Sequence, residues 1–412
     1  MRQVPIIHKK LKTLFSVILF DQTSFSILFP SILTFIFFDK SSALFAADAS
    51  HATRSLWYGV CIALSFISSV TVGPLLSLVS DNFGRRKVLL IGACGAFLFA
   101  IFATIGILSG TLAFVLLGAV MQGLCWGTNP VAQATVADVT TPAEKVVQMG
   151  YLQFIISIGA FAGPIIAGYF AKSFFFNKIN FALPCMIAAV FAAIAILRAF
   201  FSFKETHTTT TNALFQFKGI KALLTNPVIL QLSLVLLLIQ LSWSTFYQFM
   251  PPVLQGEFNF KPFSIGLFVG LIAFWLAVAA TGGVQLLNRI YNHQQMIFCA
   301  VCSMVVGFGL AIVALEFPAW FLSKGLLWAA GCLIAMGDVV AYCAITALYS
   351  NAVSVHDQGK VMGLCFAIVS IAWAVTGLLG GALAALHFSL PILLAPIGVV
   401  ILLMRRNLCC YV

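Results

Sequence analysis

Two acidic side chains sit where an apolar chain can least accommodate them. Asp338 lies in Ile334-Ala335-Met336-Gly337-Asp338-Val339-Val340, far from either end of a long apolar run that holds no Lys or Arg in its middle. A carboxyl group placed there can exchange a proton with a wet cavity or bind a cationic group of a substrate. The alternative is a buried, permanently protonated acid. Asp21, about two turns inside the first apolar run, is either a protonation site, a hydrogen-bonding element of a gate, or a plain helix–helix contact. A third set lies in Asp81-Asn82-Phe83-Gly84-Arg85-Arg86-Lys87, an acid, a turn and three cations wedged between two apolar runs. Polar and aromatic residues that could line a cavity are Gln122, Asn129, Gln133, Gln153, Gln240, Trp243, Tyr247, Gln248, Trp275 and Gln285. Interhelical hydrogen bonding is the ordinary role for any one of them. No nucleotide loop, catalytic triad or metal-ligating cluster is found, so neither an enzyme, a cofactor nor a metal is expected.

The elements that position these residues are membrane spans. Of 412 residues 62% are hydrophobic and 8% charged, and the mean hydropathy is +1.08. Lipid accepts that much apolar surface and a water-soluble core does not. The net charge of +11 is spread through short loops and forms no patch for nucleic acid. The 11 cysteines are scattered singly, as small packing residues, and Cys299 and Cys302 have no second pair to complete a metal site.

Hydropathy gives twelve spans, at 13–38, 57–79, 88–109, 111–134, 147–171, 181–202, 227–250, 264–287, 296–316, 318–349, 361–385 and 388–404. The first is too long for a cleavable signal peptide. Residues 203–226 read as a cytoplasmic linker between an N-terminal bundle, 1–202, and a C-terminal bundle, 227–412. With both termini inside, 16 of the 22 Lys and Arg fall in cytoplasmic segments, which decides the expected orientation. Shifting the chain by 213 residues lays Met149-Gly150 on Met362-Gly363, and Gly168 on Gly381. That match, with six spans on each side, favours a duplicated transporter with a central site.

Three motifs resemble the major facilitator superfamily, and within it the twelve-span drug:proton antiporter branch that includes tetracycline exporters. Pro74, Asp81, Gly84, Arg85 and Arg86 match the signature between the second and third helices, while Ser77 and Asn82 depart from it. Asp21 and Pro30 reproduce an Asp-to-Pro spacing of the first helix. Gly159, Gly163, Pro164 and Gly168 follow the antiporter motif of the fifth helix, with Ala167 in place of a glycine. The fourth-span Arg often found in this superfamily has no counterpart here; Gly118, Ala119 and Val120 occupy its region.

The resemblance implies an all-helical fold, two pseudo-symmetric six-helix bundles around a midplane cavity. It implies a conformational latch in which Gly84 permits the turn, Asp81 faces a helix N-terminus, and Arg85 reaches Asp138, with Arg86 beside it. The small residues of the fifth helix would let a neighbour approach, and Pro164 would kink it into a rocking hinge. Asn129-Pro130 would break local helical bonding in the fourth span. The expected function is proton-coupled export of a small organic molecule by a monomer in the inner or plasma membrane. Its partners are then the substrate, protons and the bilayer. Symport of a nutrient, metabolite or siderophore, and a non-transporting membrane sensor, are the other classes.

Overall fold

In the computed structural model the described residues are 11–39, 42–46, 48–124, 128–171, 181–206, 225–353 and 358–405, and their regular structure is helical throughout. The helices are α1 (Leu11–Phe38), α2 (His51–Phe83), α3 (Arg85–Ser109), α4 (Leu112–Gln122), α5 (Thr128–Val139), α6 (Pro142–Phe170) and α7 (Ala182–Ser202). They continue as α8 (Pro227–Gly256), α9 (Pro262–Ile290), α10 (His293–Glu316), α11 (Ser323–Asn351), α12 (Gln358–Leu386) and α13 (Leu390–Met404). Ten are long and apolar enough to cross a membrane, and α4 and α13 are shorter apolar helices. The fourth expected span is thus represented by α4 and α5, with 125–127 outside the described residues.

Local chemistry sets the helix limits. Asn226 accepts from the Val228 N–H ahead of Pro227 at the first turn of α8. Asn292 and Gln295 exchange side-chain and backbone hydrogen bonds at 2.9 and 3.1 Å to open α10. Gly110, in the left-handed region at φ 65°, closes α3. The tenth span starts at Ser323 rather than near 318, because the chain turns at Phe317 and Trp320 around Pro318.

The backbone falls into two compact units. One comprises residues 1–47 and 67–215, and the other 48–66 and 216–412, so α2 is divided between them. The intervening linker is outside the described residues at 207–224. Inside the first unit α1 packs on α6 and α7, and α3 on α4 and α7. Inside the second, α8 packs on α12, and α10 on α11 and α13. The first helix of each set therefore meets its fifth, and the third meets its fourth and sixth.

Pro164 does not interrupt α6, which is continuous from Pro142 to Phe170. A kink lies in α1, where Phe29 leaves the helical region (φ −120°, ψ 133°) just before Pro30. Gly159 and Gly163 of α6 lie against the α1 residues that precede it, Gln22 to Ile27. A Cβ on Gly159 would stand 2.9 Å from Gln22 Cβ, and one on Gly163 would stand 2.6 Å from Ser26 Cβ. Gly163→Ala is expected to destabilise the protein by about 1–3 kcal/mol through overpacking. Gly150→Ala, where nothing lies within 4 Å, should not. Thermal unfolding of the two variants in detergent checks the contrast.

Candidate functional site

In the second unit, α8 carries a stripe of polar residues at four-residue spacing, Gln240, Ser244 and Gln248, all buried. Asp338 of α11, 7% exposed, accepts a hydrogen bond from Gln240 Nε2 at 2.8 Å. Trp373 of α12 donates its indole N–H to Gln240 Oε1 at 3.1 Å. One turn further along, the hydroxyls of Ser244 and Thr376 meet at 2.8 Å, and Gln248 Nε2 donates to the Trp373 carbonyl at 3.2 Å. Tyr58, from the part of α2 in this unit, donates to the Gln248 carbonyl at 2.7 Å. Rings complete the wall: Trp243 lies 5.4 Å from Tyr247, Tyr247 5.6 Å and Phe66 4.9 Å from Trp373. The structure therefore brings together Asp338, Gln240, Trp243, Tyr247 and Gln248. Trp275 is elsewhere, in an apolar crevice with Phe268, Trp328 and Cys332 between α9 and α11.

In the first unit, Asp21 is 3% exposed and accepts from the Thr128 hydroxyl at 2.9 Å, while its Oδ1 has no hydrogen-bond partner among the described residues. Asn129 and Pro130 lie in α5 beside Thr128, next to residues 125–127 outside the described residues. Gln122 is buried at the end of α4; Gln133 and Gln153 are exposed. Gly159, Gly163, Pro164 and Gly168 are all buried, and the two leading glycines abut α1 just after Asp21.

The turn between α2 and α3 is held from three sides. Gly84 adopts φ 99°, a conformation that disfavours residues with a Cβ. Arg85 donates from Nε to Asp138 Oδ2 at 2.9 Å and from Nη1 to Ser80 Oγ at 2.8 Å. Arg86 turns the other way, donating to the carbonyls of Ala199 and Phe200 at the end of α7. The side chain of Asp81 lies outside the described residues. The carboxylate that meets the N-terminus of α3 is Glu205, which accepts from the N–H groups of Arg85 (2.8 Å) and Arg86 (3.1 Å).

Sequence reasoning had not singled out Glu205, although it is the one acid of residues 203–226. Trp373, Thr376 and Ser244 were also passed over. Ser244 was legible as the middle member of the four-residue spacing between Gln240 and Gln248; the α12 residues carried no such signal.

The family model that matches this chain, over residues 14–377, is the Major Facilitator Superfamily. The chain is 30% identical to tetracycline resistance protein, class B, of Escherichia coli, over 81% of its own length and 80% of that protein's. It is 24% identical to multidrug resistance protein 2 of Bacillus subtilis (strain 168), over 82% of each chain. A solved mutant of the nucleoside transporter NupG shares the fold with a TM-score of 0.76 at 12% identity, covering 97% of this chain and all of that one.

Removing the Glu205 carboxylate leaves two N–H groups at the start of α3 without their acceptor. Glu205→Ala is expected to cost about 0.5–1 kcal/mol, the value of an exposed cap. Unfolding curves recorded at low and high salt would show the loss and its screening; an unchanged curve would leave Glu205 with no part in the turn.

Proposed function

Because the chain belongs to the Major Facilitator Superfamily, we propose that this multi-pass membrane transporter is a proton-coupled exporter of small organic molecules, working by alternating access in the plasma membrane with both termini in the cytoplasm. Asp338 carries the reading. It is a buried acid held by a neutral amide, with no Lys or Arg paired to it among the described residues. Such a group can hold and release a proton, or meet a cationic substrate group, as its surroundings open to one side and then the other.

Asp21 is the second candidate for the same work, since one of its oxygens has no partner. The Arg85–Asp138 ion pair, with Gly84 and Arg86 beside it, would bias one conformational state over the other. The α6 stretch of Gly159, Gly163, Pro164 and Gly168, with its close approach to α1 at the first two glycines, is the hinge candidate. The names of the relatives, tetracycline resistance and multidrug resistance, support export and a hydrophobic organic substrate.

The test is proton movement in oriented proteoliposomes loaded with a pH dye and challenged with tetracycline and a panel of organic cations. Proton flow opposite to the compound's flux supports export by antiport, and flow in the same direction makes the protein an importer. Asp338→Asn is expected to lose accumulation against a gradient while keeping downhill exchange. Full uphill transport by that variant would take Asp338 out of the mechanism.

A further inference from the structure

We propose that Gln240 is a positioning residue that fixes which oxygen of Asp338 exchanges its proton and passes the change to α12 through Trp373. The inference rests on the reading that Asp338 titrates during transport.

A glutamine amide has a donor end and an acceptor end, and in isolation it can turn over. Here it cannot turn freely. The Trp373 indole N–H is a donor only, and it points at Gln240 Oε1 from 3.1 Å. The amide nitrogen is thereby directed at Asp338 Oδ1, 2.8 Å away. Reversal would set two donors face to face and take from the buried indole N–H its acceptor on Gln240. Oδ1 is therefore an acceptor whether Asp338 is charged or neutral. The proton comes and goes at Oδ2, which makes no hydrogen bond among the described residues.

The same amide transmits the change. A carboxylate accepts a stronger hydrogen bond than a neutral acid, so protonation weakens the Gln240–Asp338 bond and depolarises the amide that Trp373 meets. Trp373 belongs to α12, its ring lies against Phe66 and Tyr247, and its carbonyl accepts from Gln248. The Gln248 carbonyl in turn receives Tyr58. A proton on α11 is in this way felt by α8, α12 and the part of α2 in this unit.

The other titratable groups around Asp338 are Tyr342 and Cys343 on its own helix and Cys365 on α12. Tyr247 is the titratable residue of the α8 wall. At neighbouring Gly337, α10 presents Met304 and Ala300, neither of which titrates.

The experiment is a pH titration of intrinsic tryptophan fluorescence on the full-length reconstituted protein, with protons as the only ligand. The wild type should show a step that is absent in Asp338→Asn and in Trp373→Phe. Gln240→Met, close to glutamine in shape but without its donor and acceptor, should cut that step by at least half although Asp338 is intact. Trp373→Phe removes the fluorophore together with the N–H and so reports only whether the step arises at Trp373; Gln240→Leu, which also lacks the amide, supplies the same test if Gln240→Met does not fold. A full step in Gln240→Met or in Trp373→Phe overturns the inference, as does a wild type with no step. Uphill transport by Asp338→Asn separates the two ideas. If that variant still couples, the reading of Asp338 fails; if coupling is lost but the step survives in Gln240→Met, only the role of Gln240 fails.

Discussion

A bilayer offers no water to an unpaired donor or acceptor, so a polar group placed inside it is costly unless it finds a partner or faces a wet cavity. The bond from Gln240 to Asp338 meets that requirement for an acid far from either end of its helix. Satisfying it recruits Trp373, which brings α12 against α8, and the next turn repeats the solution with Ser244, Thr376 and Gln248. Three helices are tied along one stripe in this way. The stripe is also where rings gather, because the indole that supplies the N–H presents its faces to Phe66 and Tyr247.

At the α2–α3 turn the same constraint is met by charge. Arg85 is nearly buried and spends its guanidinium on Asp138 and Ser80, while Arg86 closes the carbonyl end of α7. Glu205 then occupies the N–H end of α3. One short turn thus binds the ends of α2, α3, α5 and α7. Separating these helix ends would break charge-assisted bonds, the property that the proposed latch requires to have two discrete states.

Most of this architecture was legible in the amino-acid sequence because span length and apolar composition are local properties. The limits of α10 and α12 fall within a few residues of the hydropathy estimate. Breaks were harder. Pro30 was noted for its spacing from Asp21, yet hydropathy is blind to backbone angles and drew one straight span through the kink at Phe29. Pro164, by contrast, lies inside α6, which runs from Pro142 to Phe170. The buried acids were visible as anomalies of composition, whereas their partners were not. Gln240 and Asp338 are 98 residues apart, and Arg85 and Glu205 are 120 apart; nothing in a single chain's pattern pairs them.

The two buried acids are held by chemically unlike donors, and this makes them unequal as candidates for carrying a proton. Asp21 is met by the Thr128 hydroxyl, which can donate to a carboxylate or turn and accept from a carboxylic acid. Its second oxygen is buried without a partner, so either oxygen can take the proton once water reaches the site. Asp338 is met by an amide that Trp373 prevents from turning, so its hydrogen bond cannot reverse and only one oxygen is left for exchange. Protonation of Asp21 is therefore absorbed locally by the rotation of one hydroxyl. Protonation of Asp338 cannot be absorbed that way and must weaken a bond shared by three helices. On the proposed reading, Asp338 is of the two the acid whose charge state the surrounding helices would register.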